Sequence, residues 1–300
     1  MTRAAVAHPG AAGPAIALMF AAGALIAATS LIAKALGLPD GGSPGLSPFQ
    51  ISAGRFVFAL AALLLFVSIA PAKRPSIKGA RWSWHILRSV CGWLGVTCMF
   101  AAVVRMPVAE ATAISFLSPL VAMLLAVLML GENVGSKKIL AAGLAVAGAA
   151  LILRPGSDAF QFAGLFALAA ALFMGAETIF IKRLSDSEPA LRVLLINNSI
   201  GAWISVVAGV VVWSWPTAGQ WLLLICVGVV MVCGQALFIQ AMRRGEASFV
   251  MPAFYSVLAF AALYDFALYR VVPGWSAIIG AGLIVAGAMI LVVRAKRKQA

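Results

Sequence analysis

The chain has 300 residues, of which 63% are hydrophobic and only 10% charged, with mean hydropathy +1.06 and a formal net charge of +13. Soluble domains hold ~45–50% apolar and ~25% charged residues, so lipid must solvate most of this chain, and little of it remains for a soluble catalytic or ligand-binding domain. The basic excess does not imply nucleic acid, because Lys and Arg stand at the ends of apolar segments instead of clustering with aromatics on a wet face.

A helix needs ~20 apolar residues to cross ~30 Å of hydrocarbon. Ten segments meet that need: 14–36, 48–70, 82–104, 107–130, 137–154, 159–183, 190–213, 218–242, 247–270 and 274–294. Only Arg3 stands out in the charge region before the first, which is long enough for a full span and has a counterpart in the second half, so it reads as part of the mature fold and not as a signal peptide. Turn-forming stretches separate several spans, such as Pro39 to Gly45 (PDGGSPG) and Trp213 to Gly219 (WSWPTAG). Trp213, Trp215 and Trp221 flank the second of these, as an interfacial aromatic belt does.

The distribution of basic residues tests the count. With the N-terminus cytoplasmic, the outer ends hold four basic residues, Lys34, Arg105, Arg154 and Arg270. Arg55 and Arg88 fall inside spans, and the other sixteen of the 22 basic residues fall on the inner side. That asymmetry is the positive-inside pattern, and losing one span would scramble it. Both termini are expected in the cytoplasm.

Each half contains five spans, an odd number, so the second half must enter the bilayer upside down relative to the first. The sequence repeats accordingly. Gly143 to Ala149 (GLAVAGA) returns as Gly282 to Ala288 (GLIVAGA), in the last span of each half. Ala24 to Lys34 aligns with Ala171 to Lys182, allowing one extra residue, so Lys34 matches Lys182 and Thr29 matches Glu177. Met106 to Ala111 aligns with Met242 to Ala247, which pairs Glu110 with Glu246. Cys91/Cys98 and Cys226/Cys233 share a C-x6-C spacing. The expected fold is therefore an all-α integral membrane protein of ten transmembrane helices, built as two inverted five-helix repeats, 1–155 and 156–300. A duplicated, inverted bundle is the build of alternating-access carriers.

The motifs extend this. Phe116 to Glu132 (FLSPLVAMLLAVLMLGE) has a Pro in the fourth span followed by an acidic turn, and a Gly-rich fifth span follows from Gly143 to Leu153. Together with Arg55 early in the second span, these resemble the drug/metabolite transporter superfamily, specifically its EamA-type members, over nearly the whole chain. The second half departs from that pattern, with Pro252 to Ser256 (PAFYS) and Tyr264 to Arg270 (YDFALYR) in the ninth span. Such a Tyr-containing segment looks like the YddG-type branch, exporters of aromatic and other amino acids. The resemblance implies an inner (plasma) membrane protein of several passes that exports small polar metabolites, amino acids first.

Ionisable groups at bilayer depth are costly and mark candidate sites. Arg55 lies ~6 Å from the expected midplane and Glu177 ~9 Å, at 1.5 Å per helical residue. Arg55 is either a carboxylate anchor or a structural donor to helix-end carbonyls. Glu177 is either an ammonium or proton site or a structural partner for a neighbouring helix. Lys34, Arg88 and Asp265 lie near the span ends and can snorkel. Asn197 and Asn198 hold, in the seventh span, the place of Arg55 in the second. Gln235, Ser118, Tyr255 and Ser256 complete the polar candidates for substrate binding. Trp93 and Trp203 offer either a stacking surface or ordinary packed or lipid-facing rings. Pro119 is a candidate hinge near mid-span; Pro252 is a second, or merely starts its helix.

The small residues at 143–149 and 280–288 allow close helix approach, read first as scaffold packing and alternatively as a homodimer seam. Four cysteines inside spans argue against a disulfide framework, and neutral buried thiols are a commoner outcome than a metal site. No metal or cofactor is expected. Gly41 to Gly45 fits G-x-S-x-G only formally, because it sits in a Pro/Gly loop with no strand before it. No P-loop occurs, so this chain alone does not drive ATP-dependent transport. The expected partners are a small-molecule substrate and the bilayer. The cavity is expected between the halves, lined by the first, third, fourth, sixth, eighth and ninth spans, with the fifth and tenth as braces. A multidrug or nucleotide-conjugate carrier is the alternative, and an intramembrane enzyme or scaffold a more distant one.

Overall fold

The computed structural model describes residues 12–39, 44–70, 75–130, 136–153, 162–185, 188–244 and 253–297. Pro252, Glu246 and part of the Gly41–Gly45 loop lie outside them. The described residues form helices joined by short connections: α1 (Ala12–Gly37), α2 (Pro48–Ile69), α3 (Trp82–Val103), α4 (Val108–Ser115), α5 (Ser118–Leu130), α6 (Ser136–Leu153), α7 (Gly164–Ser185), α8 (Ala190–Val210), α9 (Ala218–Arg244), α10 (Ser256–Tyr269) and α11 (Trp275–Arg297). Six of them, α1, α2, α3, α7, α8 and α9, are long and apolar enough to cross a membrane. Among the described residues, each of the ten expected spans falls on helix. The fourth, expected as one helix, is instead two, α4 and α5.

Local chemistry explains several boundaries. Ser47 caps α2, its Oγ accepting from the Gln50 N–H at 3.2 Å, with Pro48 in the first turn. There the missing proline N–H costs nothing. Pro119 acts similarly: it is the second residue of α5, and the chain turns just before it, at Phe116 and Leu117. Proline has no N–H for the Ser115 carbonyl, so a continuous helix would forfeit that bond.

The helices pair selectively. α1 packs on α9, α3 on α7, α2 on both α8 and α9, and α3 also on α8. α10 packs on α1 and α4, and α5 on α7. α6 and α11, which carry the repeated Gly/Ala phrases, pack on each other. A Cβ at Gly148 would stand 2.4 Å from the Gly280 carbonyl oxygen, and one at Gly280 2.6 Å from that of Gly148. Bare glycine on both sides is what lets the two backbones touch. This seam is scaffold packing within one chain. Gly143 and Gly282 face open space.

Polar groups tie each end of the bundle. At one end Lys34 on α1 meets Asp265 on α10 at 3.1 Å, with 9% and 1% of their side chains exposed. Asp265 Oδ2 also accepts the Ala109 N–H at 3.0 Å, in the first turn of α4. The ring of Tyr269 lies 4.5 Å from Lys34 Nζ. These two residues were expected to snorkel; instead each neutralises the other inside the protein. Arg270 ends α10 in the left-handed region (φ 56°), and the Val271 N–H returns to the Asp265 carbonyl at 3.3 Å. At this end too, Gln50 on α2 donates to the Ser214 carbonyl at 2.6 Å, and Trp213, Trp215 and Trp221 are exposed.

At the other end Glu188, between α7 and α8, receives the Arg81 N–H at 2.9 Å and meets His85 Nε2 at 2.8 Å and Arg192 at 3.7 Å. Burial pushes the Glu188 carboxyl up, but the Arg81 N–H, the His85 ring and the Arg192 charge together outweigh it and hold the group below its ordinary 4.5.

Two outcomes follow for thermal unfolding of the purified protein. Asp265→Asn strands a buried ammonium and lowers stability by about 3–5 kcal/mol, while Lys34→Met with Asp265→Asn recovers most of it. Glu188→Gln lowers stability at neutral pH. Because the folded carboxyl titrates below the unfolded one, its contribution is complete above about pH 5 and is lost as pH falls through the lower folded value. The deficit of the variant shrinks below about pH 4.

Candidate functional site

Between α1, α2, α3, α4, α5, α7, α9 and α10 lies a cavity of about 160 Å³. The first, third, fourth, sixth, eighth and ninth spans contribute, as expected, and the second adds Arg55. The fifth and tenth spans, α6 and α11, stay away from it. Its polar lining is Thr29, Ser30, Arg55, Thr112, Ser115 and Ser118. Its apolar lining includes Met99, Met174 and Met231 with Phe100, Phe116 and Phe254. Methionine is polarizable and adaptable, and sulfur sits well against aromatic rings. The cavity therefore offers a soft, ring-accepting body with a few convergent polar groups, the usual make-up of a small-molecule site.

Arg55 dominates its electrostatics. The residue is 2% exposed, its Nε and Nη1 have no hydrogen-bond partner, and its Cζ lies 3.9 Å from the centre of the Phe56 ring. A buried charge without a bonded counter-ion is expensive. Glu177 Oε1 stands 3.5 Å from Arg88 Nη2, and Arg88 Nη1 donates to the Val193 carbonyl at 3.4 Å. Of the two open readings for Glu177, its geometry is that of a partner for a neighbouring helix.

Two interrupted helices face each other at the cavity. Phe116, at the α4–α5 break, touches Phe254 (ring centres 5.8 Å apart) and Tyr255 (5.0 Å). Tyr255 immediately precedes α10. Thr112 Oγ1 has no partner, while Ser115 Oγ returns to the Thr112 carbonyl at 2.7 Å.

Of the residues singled out from sequence, Arg55 and Ser118 line this cavity and Pro119 adjoins Ser118. Tyr255 stands behind the lining, against Phe116. Ser256 packs where α10 crosses Gly23 of α1. Asn197 and Asn198 are buried in α8, and Asn198 donates to the Leu194 carbonyl at 2.8 Å. Trp93 stacks obliquely on Phe49, ring centres 6.2 Å apart. Gln235 is half-buried on α9 with its Oε1 unpartnered. Trp203 is 72% exposed on the outside of the bundle, so it is no stacking platform for a cavity ligand. The lining residues that sequence reasoning passed over are the hydroxyls of Ser30, Thr112 and Ser115 and the Met and Phe side chains. Thr29 was reachable, through its repeat match with Glu177. The four cysteines are free.

Comparisons with known proteins agree with this build. The profile of the EamA-like transporter family matches twice, at residues 13–154 and 161–293. A riboflavin transporter of Vibrio cholerae is 27% identical over 80% of this chain and 81% of its own length. An S-adenosylmethionine uptake transporter of Rickettsia bellii is 26% identical over 84% and 86%. The pseudopaline exporter CntI of Pseudomonas aeruginosa is 27% identical over 69% and 73%. One crystal structure superposes with a TM-score of 0.62 at 20% identity, covering 96% of this chain and 99% of its own, which shows a shared fold. With a profile matched in both halves, the chain belongs to the EamA-like transporter family and is a multi-pass protein of the inner membrane.

Proposed function

We propose that this protein is a secondary carrier or facilitator that moves small metabolites bearing a carboxylate, amino acids first and aromatic ones among them, by alternating access. The observation that carries the proposal is Arg55, a buried guanidinium with free donors on the wall of a cavity otherwise lined by methionine, phenylalanine and hydroxyl groups. A planar guanidinium fork matches a carboxylate. The space suits the other end of such a molecule: an engineered apolar cavity of ~150 Å³ takes up benzene, and this one holds about 160 Å³. A phenyl-sized side chain fits that space; a fused three-ring system does not in this conformation.

The inverted-repeat reading, 1–155 against 156–300 with both termini cytoplasmic, rests on several supports. The family profile matches each half. Exchanging the halves carries the α1–α9 contact onto α7–α3, α2–α9 onto α8–α3, and α1–α10 onto α7–α4 and α7–α5, while α2–α8 and α6–α11 map onto themselves. Gly148 opposes Gly280 while Gly148 also meets Ile284 and Gly280 meets Ile152, an antiparallel crossing centred on the repeated phrase. With the Lys34 end outermost, as the basic residues indicate, the Lys34–Asp265–Ala109 contacts lie at the outer end of the bundle.

Outward transport is our primary reading, from the Tyr-containing ninth span. Inward transport of a larger metabolite is the second, favoured by relatives named as riboflavin and S-adenosylmethionine uptake transporters. Counterflow in liposomes holding the purified protein tests both, with the twenty amino acids, riboflavin and S-adenosylmethionine as labelled probes. L-Phenylalanine is expected to exchange, and phenethylamine, which lacks the carboxylate, to compete poorly. Arg55→Gln should cut apparent affinity for L-phenylalanine by about ten- to a hundredfold, the cost of a hydrogen-bonded charge. No exchange with any of the twenty sinks the amino-acid reading, and exchange with riboflavin alone favours the larger-metabolite substrate of the second.

A further inference from the structure

We propose that Arg88 is a positioning residue for Arg55: by holding Glu177 against α3 it keeps that carboxylate off Arg55 and leaves the Arg55 charge for the substrate. The inference rests on the reading of Arg55 as the substrate's carboxylate anchor. Arg88 and Gly92 stand one helical turn apart on α3. The Glu177 carboxylate reaches from α7 across that turn. A Cβ at Gly92 would lie 2.9 Å from Glu177 Oε1, 3.0 Å from Cδ and 3.2 Å from Oε2, so the carboxylate rests on bare backbone and any side chain at 92 would displace it. There it meets Arg88 at 3.5 Å, and the second arm of Arg88 is fastened to Val193 on α8. Three charges thus share the interior, two positive and one negative. Val96 and Met174, about one helical turn from Gly92 and Glu177 on α3 and α7, share the cavity wall with Arg55, so the acid stands beside that wall, yet no hydrogen bond satisfies Arg55 Nε or Nη1.

The arrangement is specific to one half. The repeat match of Glu177 is Thr29, which lines the cavity with its Oγ1 tied to the Leu25 carbonyl at 3.0 Å. The acid therefore stands where an arginine on the neighbouring helix can retain it. Without Arg88, the strongest remaining attraction for Glu177 is Arg55, and an internal carboxylate there competes with the substrate's.

The test uses the full chain in lipid nanodiscs with L-phenylalanine as the probe in equilibrium binding. Arg88→Gln, which keeps a donor for the Val193 carbonyl, should weaken binding about tenfold. Arg88→Lys should bind nearly as wild type, and Arg88→Gln with Glu177→Gln should recover most of the loss. A double variant as weak as Arg88→Gln overturns the proposal, since Arg88 would then act on the fold or on the substrate itself. If the wild type fails to bind L-phenylalanine, the substrate reading fails, and the inference is judged separately by thermal unfolding without ligand. Arg55→Gln should then cost more stability in the Arg88→Gln background than in wild type, and the excess should vanish when Glu177→Gln is added. An equal cost in all three backgrounds overturns it.

Discussion

Asp265 holds the arrangement together, because it satisfies two demands with one carboxylate. Lys34 cannot remain charged inside an apolar bundle without a counter-ion, and α4 cannot begin inside one without acceptors for its first N–H groups. Asp265 meets Lys34 with Oδ1 and the Ala109 N–H with Oδ2, and its negative charge also suits the positive end of the α4 dipole. Three helices, α1, α4 and α10, are fixed to one point. The left-handed turn at Arg270 ties the Asp265 carbonyl to the Val271 N–H, at the cost of a left-handed non-glycine residue. α4 is only eight residues long, too short to be stable by propensity alone, so its place depends on these contacts.

That dependence reaches the cavity. Thr112, Ser115 and Phe116 project from α4 and its end, and Phe116 is the contact to Phe254 and Tyr255 across the cavity. Irregular backbone is tolerated at membrane depth only where protein or a cavity covers it. Both interruptions, at Phe116–Leu117 and at Tyr255, sit at such a place. The break that costs the fourth span its continuity stands among the hydroxyls of Thr112, Ser115 and Ser118 on the cavity wall. The Lys34–Asp265 contact stands at one end of the bundle, and the breaks lie nearer the middle, at the cavity.

The spans were legible because lipid imposes length and hydropathy on each segment separately, and Arg55 because a charge at mid-span has few structural explanations. Pro119 marked the weak point of the fourth span, although the break falls two residues earlier, where the helix must end to receive proline in its first turn. The Lys34–Asp265 pair was hidden: its members are 231 positions apart, and each alone looks like a side chain that snorkels. Glu188 was passed over for the same reason, since its partners Arg81 and His85 come from a helix more than a hundred positions away. Methionine and phenylalanine that line a cavity carry no mark in the sequence that separates them from methionine and phenylalanine in a packed core. Trp203 shows the converse. A tryptophan deep in a span looked like a candidate for stacking, and only the packing of α8 shows that it faces outward.

On the inverted-repeat reading proposed above, the unequal halves explain how a symmetric frame holds an asymmetric molecule. Symmetry supplies the crossing of α6 and α11 and the matched pairs α1–α9 and α7–α3, all made by small or apolar residues that either half can provide. Charged residues near the cavity depart from it: Arg55 against Asn197 and Asn198, and Glu177 against Thr29. Apolar contacts are non-directional, so duplicating them preserves the fold. A buried charge demands one specific partner, and duplicating it would place two arginines or two acids about a single small space. Divergence between the halves is therefore expected wherever charge enters the interior, as it does at Arg55, whose Nε and Nη1 have no hydrogen-bond partner.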